Sequence, residues 1–450
     1  MESEAGSTVL LQALESSSPH TSESVRTVTA QLIRDGDLAA GVRLPTVREL
    51  AQHCGLSTRT VVNAWGELRK HGLIATNRRG GTVVVWRSED PGRSLTARDL
   101  LTGSPDYDLL PDLAPAMLAG LRTDQLNRPG RDYITEGLRD AVVDGWPFDA
   151  EAFVVAGGGS EGLFLAVDAV APSGSLIAVE EPVMPGFLDT LRDVGYDVVG
   201  IESDENGAVP DSLAAALERG PSVVVLQPEG AYAALGTMSE QRAAELAAVL
   251  SAGRSLPWIV EDDAVGPLAR SQAPSLGNHF PEHCVRVRSY CKAFGMDIRT
   301  CVIGGSAELV EQAIHARVHG IAANSRILQN ALAHLITDGA TSALIETVRE
   351  RYSARRAGLL SALADRGVTA KSGINSLVIW VDVADEQGAL LSLARSGVIV
   401  GSAAKSHVGQ SRRGAVRVAV PQLPDDAAGV TELADLLASA ADSTQREFLD

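Results

Sequence analysis

The stretch RSYCKAFGMDIR sets Ser289, Lys292 and Arg299 in the pattern S-x-x-K-x6-R, in a chain that has four lysines against 35 arginines. A primary amine adds to carbonyl carbons, and a hydroxyl with a guanidinium beside it holds an anion. Three other segments carry residues of matching chemistry. AFVVAGGGSEGL sets Gly157-Gly158-Gly159-Ser160 between a strand-like run and a helix-like one, where free amides and a helix N-terminus suit a phosphate. PWIVEDD ends an apolar run with Glu261, Asp262 and Asp263, and carboxylates there call for a cation or a protonated ring nitrogen. GAVRVAV buries Arg417 in an apolar strand, where a charge is costly unless paired. An amine, a carboxylate, a phosphate cradle and a second arginine for a carboxylate are together what pyridoxal 5'-phosphate requires.

The elements that must position these residues follow from the pattern around them. Apolar runs (AFVVAGG, SLIAVEE, SVVVLQP, PWIVEDD, CVRVRSY) alternate with amphipathic stretches such as QRAAELAAVLSAG. That alternation predicts a mainly parallel sheet with helices on both faces, and ligands bind beyond the carboxyl ends of such strands. With 450 residues the chain has room for a small domain ahead of this large α/β one.

Residues 20–87 differ from the rest in charge. They hold ten basic against five acidic residues, whereas residues 88–450 hold 29 against 49 in a chain of net charge −18. A basic head on an acidic body predicts that only the head meets a polyanion. Val25, Val28, Leu32 and Ile33 recur at helical spacing, and Thr46-Val47-Arg48-Glu49 reads as a capping box. Gly55 ends that second helix. Ser57 starts a third, with Val61, Ala64, Trp65 and Leu68 as its buried stripe, and GLIATNRRGGTVVVW then reads as two strands about a turn. The sum is a small α+β winged helix-turn-helix domain, whose third helix enters the DNA major groove N-terminus first.

The segment IRDGDLAAGVRLPTVRELAQHCGLSTRTVVNAWGELRKHGLIATNRRGGTVV resembles the GntR-type winged helix over its whole length. The resemblance implies DNA contacts from Arg48, Arg59 and Thr60 and a wing lying along the backbone. Ser57, Thr58, Asn63, Arg78, Arg79 and Gly81 complete the candidate DNA-binding surface. The order of motifs over residues 111–450 resembles fold-type I aminotransferases, and the combination resembles the MocR branch of GntR regulators. That likeness implies Lys292 as the Schiff-base lysine and Asp262 as the pyridine partner. It further implies Ser160, Ser289 and Arg299 on the phosphate with Gly159, and Arg417 on a ligand carboxylate. It also implies a homodimer on a double-stranded DNA operator. The expected divisions are a tail at 1–22, the head at 23–87, a linker at 88–110 and the aminotransferase-like body at 111–450.

Three positions depart from the pattern. Met184 stands where the family stacks an aromatic, Ala264 where a tyrosine or histidine touches the ring hydroxyl, and Tyr232 in a segment that lacks the usual asparagine. The expected function is a transcriptional regulator sensing pyridoxal phosphate, or an amine or amino acid through it. The alternatives are a regulator with a degenerate pocket for another metabolite, and an active aminotransferase. The residues point away from an enzyme. Cys54, Cys284, Cys291 and Cys301 lack zinc-ligand spacing, so no metal is expected and the thiols fit a reducing compartment. With neither a long apolar run nor a basic N-terminal region, the expectation is a cytoplasmic protein without membrane contact.

Overall fold

A computed structural model describes residues 9–11, 13–14, 21–34, 38, 42–70, 73–77, 81–84, 98–123, 125–130, 132–317, 324–409 and 414–443. The chain divides into two compact units, Met1–Thr96 and Ala97–Asp450.

The first unit has helices α1 (Ser22–Arg34), α2 (Val47–His53) and α3 (Thr58–Lys70), then strands β1 (Ile74–Asn77) and β2 (Gly81–Val84). Thr46 caps α2 in a reciprocal box with Glu49. The Ser57 hydroxyl accepts from the Thr60 N–H at 3.1 Å at the start of α3. Val61, Ala64, Trp65 and Leu68 are each at most 1% exposed, so the periodicity of α3 is the periodicity of its packing. The strands pair antiparallel from Ile74 opposite Val84 to Asn77 opposite Gly81. Leu10 and Leu14 are fully buried in the same core. The tail expected at 1–22 therefore contributes to the head, because the i, i+4 pair Leu10/Leu14 supplies an apolar face that composition alone did not show.

The second unit is built on a seven-stranded sheet. In chain order its strands are β3 (Ala152–Ala156), β4 (Leu176–Glu180), β5 (Asp197–Ile201), β6 (Val223–Leu226), β7 (Trp258–Asp263), β8 (Cys284–Ser289) and β9 (Cys301–Gly305). Their spatial order is β3-β9-β8-β7-β6-β4-β5. The strands from β8 to β5 run parallel, and β9 lies antiparallel between β8 and β3. Helix α4 (Gly159–Asp168) follows β3, and the short α5 (Cys291–Phe294) follows β8. Helix α6 (Arg326–Thr337) and the 26-residue α7 (Gly339–Ala364) lead to an antiparallel sheet of order β10-β11-β13-β12. Its strands are β10 (Ala370–Lys371), β11 (Val378–Val383), β12 (Gly401–Ser402) and β13 (Gly414–Ala419).

Residues 98–110, expected as linker, belong to this unit. Arg98–Asp99 pairs in parallel with Val398–Ile399, and the Leu100 carbonyl accepts from Ala419 N–H at 2.9 Å. Asp106 pairs with Arg355 at 2.7 Å. The segment reads as linker because it carries Gly, Pro and several Asp, but its backbone groups find partners in distant strands.

Candidate functional site

Strand alternation sorts the three acids at the end of β7. Glu261 accepts from Arg286 Nε (2.8 Å), Ser275 Oγ (2.7 Å) and Leu276 N–H (2.8 Å). Asp263 accepts from Arg288 Nε (2.7 Å) and Gly266 N–H (2.8 Å). Asp262 points the other way, and its Oδ2 is buried without a hydrogen-bond partner among the described residues. Burial, then the neighbouring charge of Asp263, pushes the Asp262 carboxyl up to about 7. A buried carboxylate oxygen without a donor is an open demand for one.

Asp262 lines a cavity of about 140 Å3 together with Gly157, Gly158, Gly159, Ser160, Ser289, Lys292 and Arg299, and with all three departures, Met184, Tyr232 and Ala264. The sequence candidates for the cofactor thus line one cavity, whereas Arg417, the candidate for a ligand carboxylate, is not part of its lining. A Cβ on Gly159 would lie 2.8 Å from Ser289 Cβ, so only glycine lets the turn and that serine approach. Burial, and then the Arg417 cation, hold the Lys292 ammonium below its usual value, with the Cys291 thiol acting against them. Tyr232 is buried, and Asp262, after burial itself, keeps its hydroxyl protonated. Met184 offers its sulfur to Ser160 Oγ at 3.5 Å where an aromatic was expected.

Arg417 is 4% exposed and donates to Ser406 Oγ (3.3 Å) and the Leu101 carbonyl (3.1 Å), with no carboxylate partner among the described residues. Burial holds its guanidinium below its usual value. A Cβ at Gly401 would fall 2.5 Å from this guanidinium, so the glycine makes its room.

Two features escaped the sequence reading. The Glu161 carboxylate folds over the backbone of Gly157 and pairs with Arg317 at 3.5 Å, which brings a negative charge to the edge of the phosphate cradle. The segment Asp99–Ser104 lies on the ligand groups as a strap: the Gly103 carbonyl accepts from Lys292 Nζ, as Leu101 does from Arg417. The Asp99 side chain fixes the strap by accepting from the N–H groups of Leu101 (2.9 Å) and Thr102 (3.2 Å). A motif search does not see backbone carbonyls, and hence the strap was missed.

In the head, Arg48, Ser57, Thr58, Arg59 and Asn63 are exposed and Thr60 is half-buried. Five of these six belong to the start of α3 or its open face. Arg78 and Arg79 lie outside the described residues, and Gly81 opens β2.

Both parts of the chain resemble known proteins. Residues 98–435 match the family of class I and II aminotransferases, and residues 21–84 match the gntR family of bacterial regulatory proteins. The vitamin B6 salvage pathway transcriptional repressor PtsJ of Salmonella typhimurium is 28% identical over 392 residues, covering 82% of this chain and 87% of that protein. The HTH-type pyridoxine biosynthesis transcriptional regulator PdxR of Corynebacterium glutamicum is 25% identical over 384 residues, covering 79% and 83%. Aspartate aminotransferase of Thermus thermophilus superposes with a TM-score of 0.65 at 21% identity, over 77% of this chain and 97% of that one. The α-aminoadipate aminotransferase LysN, also from Thermus thermophilus, gives 0.68 at 19%, over 77% and 92%. Both structural likenesses speak to the fold. The chain belongs to the class I and II aminotransferase family and carries a gntR-family helix-turn-helix domain ahead of it, the arrangement of MocR-type regulators.

Proposed function

We propose that the protein is a DNA-binding transcriptional regulator whose aminotransferase-like unit senses pyridoxal phosphate, or an amine or amino acid through it, at Lys292. The observation that carries the reading is the bare, buried Asp262 Oδ2, which shares one cavity with Lys292 and the Gly157–Ser160 turn. The names of PtsJ and PdxR tie those proteins to vitamin B6 and support the same ligand class here.

The residues present fit that group. When bound, pyridoxal phosphate supplies an aldehyde that condenses with amines and a ring nitrogen that is basic. Lys292, held below its usual value by burial and the Arg417 cation, would present a larger neutral fraction of its amine than an exposed lysine does. Asp262 would keep a proton on the ring nitrogen, and the nitrogen's charge would in turn stabilise the ionised carboxylate. The Gly158–Ser160 amides, Ser289 and Arg299 would hold the phosphate. Tyr232 stands beside Asp262 and Arg417 and would donate to the ring oxygen in place of the usual asparagine. Arg417 would take a ligand carboxylate, its open charge matching one bidentate anion. The strap must leave both Lys292 and Arg417 for this to happen. Because the Gly103 and Leu101 carbonyls occupy these two residues, ligand and strap compete for them, and such competition is what a sensor requires.

On the DNA side, Arg48, Arg59 and Thr60 on α2 and α3 would reach bases and phosphates, with a homodimer placing two heads on paired half-sites in the cytoplasm. We read the pocket as a sensor rather than a catalytic centre, since Ala264 and Met184 remove two groups that fix ring orientation. The same residues, with Glu161 at the cradle, favour as second reading a regulator that binds another metabolite.

The test is selection of duplexes from a random library with the full-length protein. We expect an enriched inverted or direct repeat whose affinity shifts by roughly fivefold or more with pyridoxal phosphate, and not at all in Lys292→Ala. Enrichment without any response to pyridoxal phosphate supports the second reading, and absence of enrichment contradicts both.

A further inference from the structure

A second cavity, of about 420 Å3, lies behind the lysine pocket and shares none of its lining residues. The two are nevertheless back to back. At the end of β7, Asp262 lines one and Asp263 the other; around α5, Lys292 lines one and Tyr290 and Phe294 the other. Its volume lies in the range of about 300–1,000 Å3 that small-molecule sites occupy, unlike the strapped lysine pocket.

Its walls are apolar on one side, from Val142, Phe294, Leu335, Ile336 and Ile345. The polar side is arginine-rich. Arg288 is engaged by Asp263 and lies over the Trp146 ring at 4.8 Å, and Arg349 donates to the Pro267 carbonyl and pairs with Glu346. Arg270 is different: its N–H donates to Asn375 Oδ1 at 3.0 Å, but its guanidinium has no partner among the described residues. In an adjoining recess that Arg270 and Arg349 also line, Arg356 is 9% exposed and donates only to the carbonyls of Ser376 (2.8 Å) and Ile374 (2.5 Å). Burial and then the charge of Arg270 hold it at about 10. Of the acids facing the cavity, Asp263 and Glu346 are paired. Glu229 is pinned by Ala273 N–H (2.9 Å) and Arg286 (3.3 Å), and burial pushes it up to about 7. The exposed Arg270 guanidinium, without a partner among the described residues and lining a cavity with an apolar wall, is placed to pair with an anion.

The geometry points to this cavity as a second small-molecule site, for a carboxylate or phosphate on a compact apolar body. The oxyanion pairs with Arg270, and the body lies against Phe294 and Ile345. A ligand there touches the reverse side of the wall that carries Lys292 and Asp262, so the two sites affect each other through α5 and the end of β7. The inference stands on these residues whether or not pyridoxal phosphate binds.

The experiment is calorimetric titration of the full-length protein with benzoate and, in parallel, phenyl phosphate. The parent is compared with Arg270→Glu, which changes an exposed side chain, Ile345→Trp, which fills the cavity, and Arg417→Gln, which disables the other anion site. We expect one probe per chain, binding at least tenfold weaker in Arg270→Glu and Ile345→Trp and unchanged in Arg417→Gln. The tighter of the two probes identifies the headgroup. Binding that survives the cavity variants and disappears in Arg417→Gln overturns the inference, as does the absence of heat up to about 10 mM of either probe.

Discussion

Asp262 and Glu161 carry opposite consequences for the pocket. Asp262 has a folded-state value of about 7, above its ordinary 3.8. A carboxyl raised in this way stabilises the fold below the ordinary value, and that contribution is lost as pH rises through about 7. Asp262→Asn, neutral at every pH, should therefore melt higher than the parent at pH 8, by on the order of 2–4 °C, and not at pH 4. Thermal melts at the two pH values check this, and a gain at pH 4 alone would invert the sign. The same variant should bind pyridoxal phosphate less tightly. Glu161 is half-exposed and already pairs with Arg317, so its repulsion of a phosphate is partly screened. Glu161→Gln should tighten pyridoxal phosphate by roughly two- to tenfold and leave unphosphorylated pyridoxal unchanged, by absorbance titration of each.

Among the elements, the strap and the α2 cap make the clearest predictions. Asp99 holds two N–H groups of the strap, and each such bond contributes about 0.5–1.5 kcal/mol. Asp99→Ala should therefore react with pyridoxal phosphate roughly three- to tenfold faster in stopped-flow absorbance, because the Gly103 and Leu101 carbonyls leave Lys292 and Arg417 more readily. An unchanged rate would mean that the strap does not gate the pocket. Thr46→Ala removes the α2 cap and should lower the stability of the head by about 1 kcal/mol, measured by denaturant unfolding. The strands that carry Asp262 and Ser289 were legible as apolar runs ending in candidate site residues. The antiparallel insertion of β9 was not, because CVIGG looks like any buried strand and only pairing fixes its direction. The fate of Glu261 and Asp263 was equally hidden, since their partners Arg286 and Arg288 lie 25 residues away and become neighbours only through β7–β8 register.

At the scale of the whole molecule, a basic head and an acidic body share one chain, a charge division that predicts DNA affinity resting on a few cations of the head. Arg59→Ala should weaken binding to a selected duplex by about 1–3 kcal/mol if it reads a base, or reduce the salt slope by about one if it meets a phosphate; fluorescence anisotropy at several salt concentrations separates the two. The presence of a separate helix-turn-helix head was legible from charge and from the capping box and α3 stripe. The linker was placed too late because Gly, Pro and Asp mark a strap as readily as a tether. Everything proposed for the pocket turns on Lys292 holding an aldehyde cofactor. The most direct measurement of this is the absorbance spectrum of the full-length protein with pyridoxal phosphate, before and after borohydride, beside Lys292→Ala. We expect a visible band absent from the alanine variant, and a reduced adduct found by mass spectrometry on the peptide containing Lys292. A spectrum equal to that of free pyridoxal phosphate, the same in both proteins, would contradict it.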